Sequence, residues 1–240
     1  FDSVGVELVT AGFALLAGLN YATHYLALVR RSSAPYRRDP EIPFYFGVLA
    51  LSTLMLTAYL LAQGIFTDFG EALRYVAFHV VSISTSLGLA THDYTLWPMF
   101  AQIWILFLGS FVACSGSTGG GIKMMRALLL YKQVYRELIR AMHPSAVYHV
   151  RLGGATAPMT VLFAVLAFAF VYMACIVILT LTLSFTGLDI VTAFSAVVAC
   201  INNTGPGLGL VGPATNYAVL EDFQTWVCIF DMLLGRLEIF

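Results

Sequence analysis

Residues 70–88 read GEALRYVAFHVVSISTSLG, and residues 187–205 read GLDIVTAFSAVVACINNTG. One short design is used twice. Gly70 and Gly88 stand eighteen apart, and so do Gly187 and Gly205. Between them, Val80-Val81 and Val197-Val198 fall in the same register. Each copy then turns small and polar before its closing glycine, as Ser84-Thr85-Ser86 in one and Asn202-Asn203-Thr204 in the other. A short apolar helix leading into a polar, glycine-ended turn, between long hydrophobic segments, is the layout of a pore helix and selectivity filter. A single copy would read equally as a helix–loop–helix with small residues for packing. Two copies in register favour a pore built from repeats.

Composition sets the class around these segments. The chain is 60% hydrophobic and 10% charged, with mean hydropathy +0.86. A soluble domain is about 45–50% apolar. The charges cluster and leave uncharged runs at 8–29, 42–67, 94–122, 152–188 and 190–220. About 20 apolar residues cross a bilayer core as a helix. The fold class predicted is therefore an all-α polytopic membrane protein, with tandem helix–pore loop–helix repeats around a central cation pore, as in a K-channel. The net charge of −1 gives no footprint for nucleic acid. Cys114, Cys175, Cys200 and Cys228 lie in apolar segments without ligand spacing. They read as reduced thiols with no disulfide or transition-metal role. No signal-peptide pattern opens the chain. It begins at Phe1 without Met and stops at Phe240 inside an apolar helix, as expected of a piece of a longer protein.

The layout predicted is a first helix over about Val4–Leu28 and a second over about Phe44–Gln63. The first pore loop follows, with a short helix near 70–82. A third long helix opens after Trp97-Pro98, breaks at 114–121 and resumes from Ile122 to about Met142. A fourth helix spans 158–185, the second pore loop takes 187–212, and a last helix starts near Glu221. Charge orients this layout. Arg30, Arg31, Arg37 and Arg38 sit at one linker, and Lys123, Arg126, Lys132, Arg136, Arg140 and Arg151 at another. Asp68, Glu71, Asp93, Asp189, Glu221 and Asp222 lie at the opposite ends. The positive-inside rule makes the basic linkers cytoplasmic. The crossings then close consistently only if 70–92 and 187–212 enter and leave on the same outer side. The acidic outer mouths would concentrate cations.

Three features carry chemistry. Backbone at membrane depth is tolerated where protein buries it or where it lines a watery cavity. Inward carbonyls there replace the water shell of a cation, and Gly88 and Gly205 permit the φ/ψ that aims them. The second feature is the break CSGSTGGG at 114–121. Three consecutive glycines cost a helix roughly 1 kcal/mol each relative to Ala. The break reads either as a gate under the filter or as a packing kink. A P-loop does not fit, because Ile122 precedes Lys123 and the flanks are helical. An intramembrane serine hydrolase would use Ser115 or Ser117, with His79 as the only tempting base. The third feature is Asp231, Arg236 and Glu238 in the last helix. Arg236 reads as a barrier to cations in the pore or as partner of Asp231 or Glu238. The basic segment 122–151 reads as a snorkelling cytoplasmic end against membrane lipids or as a dock for a cytosolic partner.

The stretches SGSTGGGIKMMRALLL (115–130), NNTGPGLGLVGP (202–213) and LLGRLEIF (233–240) make the chain resemble the Trk/Ktr/HKT superfamily of potassium transporters, and within it the bacterial TrkH-like potassium uptake subunits. The resemblance covers essentially the whole chain. It implies four repeats around one pore. Residues 1–29 would be the last helix of repeat two, with linkers at 30–42 and 143–157. Residues 43–142 would be repeat three and 158–240 most of repeat four. It further implies a K⁺ filter of Thr85, Ser86, Leu87 and Gly88 with Asn202, Asn203, Thr204 and Gly205. The gate would be Cys114 together with Ser115, Gly116, Ser117, Thr118, Gly119, Gly120 and Gly121, and the pore-facing barrier Arg236. No cofactor and no enzyme activity are implied beyond K⁺ as the ion of a potassium symport system. A homodimer, a cytosolic nucleotide-binding regulatory subunit and a multi-pass place in the bacterial inner membrane complete the expectation. Leu87 and Leu89 depart from the family, which usually has a hydroxyl residue before the glycine and often Phe after it. Carbonyl coordination survives that change, and a Na⁺ or poorly selective pathway stays open as the alternative.

Overall fold

The computed structural model describes residues 3–144, 148–153 and 155–237. Among the described residues ten α-helices follow in order: α1 (Val4–Ala17), α2 (Tyr21–Arg30), α3 (Ala34–Arg38), α4 (Glu41–Ala62), α5 (Phe69–Ser84), α6 (Met99–Phe111), α7 (Met124–Met142), α8 (Met159–Phe185), α9 (Ile190–Ile201) and α10 (Asp222–Leu237). A two-residue hairpin, β1 (Arg151–Leu152) with β2 (Ala155–Thr156), is antiparallel with Arg151 opposite Thr156. The chain is an all-α polytopic membrane protein. At 1.5 Å per residue, α4 spans about 33 Å and α8 about 40 Å, enough for a hydrocarbon core of about 30 Å. Both are apolar enough to cross a membrane.

Local chemistry starts these helices. The Asp68 carboxylate accepts the Glu71 N–H at 2.8 Å and caps α5, while Asp189 accepts the Thr192 N–H at 3.0 Å and caps α9. Each cap supplies an acceptor to a first-turn amide that no helical carbonyl can reach. Pro98 and Pro158 stand just before α6 and α8 with extended ψ, where a missing N–H removes no helical bond.

The single first helix expected over Val4–Leu28 is not one rod. α1 and α2 meet at 92° across Gly18–Asn20. A Cβ on Gly18 would run into the Tyr45 hydroxyl of α4, so the chain turns where only glycine fits. Asn20 then caps α2 by accepting the Ala22 N–H at 2.9 Å. The third helix does break as expected, but over a wider stretch. α6 ends at Phe111 and α7 begins at Met124. At 13 residues, α6 is about 20 Å long and too short to cross alone.

α4 packs against α5, α5 against α6, α8 against α9, and α9 against α10. The two helices α5 and α9 are thus each held between the helices that precede and follow them in the chain. Val76, Val80 and Ile83 of α5 and Val197, Val198 and Ile201 of α9 are buried in the one large core.

Candidate functional site

Both short helices end in the same way. Ser86 and Asn203, one residue past each helix cap, are left-handed at φ 57° and 53°. Gly88 and Gly205 are left-handed again at 75° and 96°. Leu87 N–H donates to Ser82 O at 2.8 Å and Ser86 N–H to Ile83 O at 3.1 Å. Thr204 N–H donates to Ala199 O at 2.9 Å and Asn203 N–H to Cys200 O at 2.9 Å. These are two Schellman closures in register, and they turn the chain out of the helix at one fixed angle. The Thr85 hydroxyl donates back to Val81 O at 2.8 Å and the Thr204 hydroxyl to Ala199 O at 3.2 Å. Both side chains fold back onto their own helices. Leu87, in the place corresponding to Thr204, has no hydroxyl to return and is 37% exposed. Its backbone nevertheless closes the same motif.

The two loops touch. A Cβ on Gly88 would collide with the Thr204 carbonyl oxygen, whereas nothing lies within 4 Å of the corresponding point on Gly205. The outgoing strands are tied to the short helices. The Ser82 hydroxyl donates to Leu89 O at 2.6 Å, and His79 Nε2 lies 2.9 Å from His92 O. In the second copy Leu208 N–H donates to Ser195 Oγ at 2.8 Å and Leu210 N–H to Thr192 Oγ1 at 3.2 Å. The Tyr94 hydroxyl crosses over from the first copy and donates to Gly207 O at 3.2 Å. His79 is fully buried, and its Nδ1 is also engaged, with Tyr75 O at 2.7 Å. Both ring nitrogens are taken by backbone groups, so it does not serve Ser115 or Ser117 as a base.

The break between α6 and α7 lies at the point where the other elements converge. Cys114 N–H donates to Gly18 O at 3.0 Å, and Thr118 N–H reaches Ala17 O at 3.4 Å. Tyr21 N–H donates to Gly116 O at 3.2 Å. The bend between α1 and α2 therefore exchanges its freed backbone groups with the 114–121 segment. Ser115 N–H donates to Glu41 Oε2 at 2.7 Å, at the start of α4. Gly120 N–H donates to Ser86 Oγ at 3.1 Å. A Cβ on Gly120 would collide with Asn202 O, and one on Gly121 would lie 2.5 Å from Ser110 O. These glycines are required by close approach to Asn202 of the second loop and to Ser110 of α6, a reason beyond breaking the helix.

Three successive carbonyls of this segment receive cationic donors. Lys123, buried, donates from Nζ to Gly119 O at 2.6 Å and to Ser117 O at 3.3 Å. Arg236 donates from Nη1 to Thr118 O at 3.0 Å. The pairing of Arg236 with Asp231 is not formed among the described residues, because the guanidinium reaches forward to the segment instead. Glu238 lies outside the described residues. The Asn202 side chain is locked on both sides, accepting from the Tyr172 hydroxyl at 2.8 Å and donating to Ser110 Oγ at 2.9 Å. Asn203 Nδ2 donates to Met232 O at 3.3 Å on α10.

Sequence reasoning missed Lys123, Glu41, Tyr94, Tyr172 and Tyr217, whose hydroxyl donates to Gly205 O at 2.8 Å. Lys123, two residues after three glycines, was the one local signal. The others are polar groups within or between apolar stretches, and their partners lie far away in sequence. The four cysteines are free, and among the described residues no group of three His, Cys, Asp or Glu is placed to hold a metal. On the acidic rim, hydrogen bonding to Thr192 holds the Asp189 carboxyl below the usual carboxylate range.

A family model described as "TrkH: Cation transport protein" matches residues 1–240. The chain is 40% identical over 240 residues to a protein of Salmonella typhimurium named "Trk system potassium uptake protein TrkH", covering 100% of this chain and 49% of that one. It is 35% identical over 240 residues to Escherichia coli "Trk system potassium uptake protein TrkG", covering 100% of this chain and 49% of the other. The crystal structure of the potassium transporter TrkH from Vibrio parahaemolyticus superposes with a TM-score of 0.94 at 40% identity, over 100% of this chain and 51% of that chain. The chain thus spans about half the length of the curated relatives it matches.

Proposed function

The chain belongs to the TrkH family of cation transport proteins, and we propose that it supplies two of the pore loops of a bacterial potassium uptake protein. One observation carries the reading. Two helices end in register in the same left-handed, glycine-punctuated turn, the two turns touch, and the Thr85 and Thr204 hydroxyls fold back onto carbonyls of their own helices. Backbone carbonyls can replace the water shell of a partly dehydrated K⁺, and those of Thr85–Gly88, Asn203 and Thr204 accept no hydrogen bond among the described residues. Thr85–Gly88 and Asn202–Gly205 form two walls of that filter. The α4–α5–α6 and α8–α9–α10 series are successive repeats, 43–142 and 158–240. The remaining walls come from the part of the relatives that this chain does not span.

The 114–121 segment is the gate. It is a packed plug tethered by hydrogen bonds, which donors can release one at a time. Arg236 places a guanidinium on that plug, and the positive charge adds a barrier to cations. The names of the relatives support K⁺ as the ion, and their bacterial sources together with the membrane-spanning helices support the bacterial inner membrane as the site. A homodimer with a cytosolic nucleotide-binding subunit fits the same family. Leu87 favours a second reading, a less selective cation pathway, because it lacks the hydroxyl that secures Thr204 to its helix.

The test uses the full-length protein in liposomes, with uptake of radiolabelled Rb⁺ competed by K⁺ or by Na⁺. Suppression by K⁺ at concentrations where Na⁺ has no effect is expected. Equal suppression by both ions favours the less selective reading, and absence of uptake removes the transport role.

A further inference from the structure

The Ser86 hydroxyl joins the 114–121 segment to the opposite loop. Gly120 N–H donates to Ser86 Oγ at 3.1 Å, and Ser86 Oγ donates to Asn202 O at 3.1 Å. A hydroxyl has one proton. One of its partners here is an N–H, which only donates, so that proton must point at Asn202 O. The direction of the chain is therefore fixed, from the gate to Ser86 to the Asn202 carbonyl. The Asn202 side chain is held independently by Tyr172 and Ser110, so its peptide stays in place whichever partner its carbonyl takes. Gly120 lies against the same carbonyl with no room for a Cβ. Ser86 adopts a left-handed backbone that a non-glycine residue takes only when its surroundings impose it.

Successive hydrogen bonds polarise one another, so donation by Gly120 strengthens the bond from Ser86 to Asn202. While the segment is seated, one lone pair of a filter carbonyl is committed to the protein. When Gly120 leaves, the hydroxyl loses the donor that orients it and the Asn202 carbonyl is freed for an ion. We propose that Ser86 is a positioning residue through which the gate sets the ion preference of the filter. Opening and selectivity then change together. This inference rests on the pore reading given above.

The experiment is a double-mutant cycle in the full-length protein in liposomes, reading Rb⁺ flux and the K⁺/Na⁺ permeability ratio. Ser86→Gly removes the hydroxyl and relieves the left-handed backbone. Ser86→Asn removes the hydroxyl and keeps a residue that tolerates that backbone, as Asn203 does in the other copy. Each is made alone and with Ser117–Gly120 deleted. With the segment present, both substitutions are expected to shift the permeability ratio about threefold to fivefold, the worth of one neutral hydrogen bond. With the segment deleted, the same substitutions are expected to change nothing further, since the relay already lacks its first member. An equal shift in both backgrounds, or none in either, overturns the coupling. Failure of the pore reading looks different. The deletion alone would leave flux unchanged, and Gly205→Ser would leave the ratio unchanged.

Discussion

After α5, the carbonyls of Thr85, Ser86, Leu87 and Gly88 accept no hydrogen bond among the described residues, whereas after α9 two of the four corresponding carbonyls are held. Asn202 O takes the Ser86 hydroxyl, and Gly205 O takes the Tyr217 hydroxyl at 2.8 Å. The glycines differ in the opposite sense. Gly88 is pressed on the Thr204 carbonyl, while Gly205 faces open space. Repetition therefore fixed the backbone path of the two loops, and tertiary partners then divided their roles. The first copy presents its acceptors, and the second is secured by hydroxyls from elsewhere in the chain.

The largest expected difference lies between Gly88→Ala and Gly205→Ala. Both put a Cβ on a left-handed backbone, at roughly 1–2 kcal/mol. Only Gly88→Ala adds overpacking against Thr204, at about 1–3 kcal/mol more. Thermal unfolding of the two full-length variants should place Gly88→Ala clearly lower, with Rb⁺ uptake lost in it and reduced in Gly205→Ala. Equal losses would mean that the packing asymmetry has no weight.

Arg236→Ala comes next. It removes a charge-assisted bond to Thr118 O, worth about 1.5–3 kcal/mol, and takes a positive charge off the plug. Flux is expected to rise about tenfold, with the K⁺/Na⁺ ratio moving only as far as the loosened segment releases the Gly120–Ser86 bond. Lower stability with unchanged flux per folded molecule would make Arg236 a structural residue.

Tyr217→Phe sharpens the contrast between the loops. It frees Gly205 O and makes the second copy resemble the first, at a stability cost of about 1 kcal/mol. A shift in the K⁺/Na⁺ ratio without loss of flux is expected. An unchanged ratio would place the Gly205 carbonyl off the ion path.

The smallest effects concern the caps, where the copies should behave alike. Asp68→Ala and Asp189→Ala should each cost about 1 kcal/mol in thermal unfolding. For Asp189 the dependence on pH has a definite sign. Its folded-state value is depressed, so the ionised cap contributes fully above the unfolded-state value and is lost as pH falls through the folded one. The deficit of Asp189→Ala should therefore vanish in acid, and a deficit that persists there would assign the effect to packing.

The likeness of the two loops is legible in the amino-acid sequence, and their difference is not. The glycine and valine register locates both loops, and the end points of α5 and α9 stay in that register although their starts do not. The glycine run locates the break, because no packing partner is needed to know that three glycines weaken a helix. The bend at Gly18–Asn20 is not legible. A glycine and an asparagine inside an apolar run resemble ordinary tolerated residues until the Tyr45 hydroxyl is known to occupy the space a side chain would need. Likewise Glu41 stands at a helix start as any acid would, and its bond to Ser115 N–H spans 74 positions. Backbone shape follows from local pattern, whereas the donors that differentiate two identical turns come from distant segments.

The reading as one shared cation filter is best tested by crystallising the full-length protein with Tl⁺ or Rb⁺ and locating the ion by anomalous scattering. Density between the carbonyls of Ser86–Gly88 and Asn203–Gly205, lost on exchange to Na⁺, is expected. Ions bound elsewhere, with none between the two loops, would contradict it.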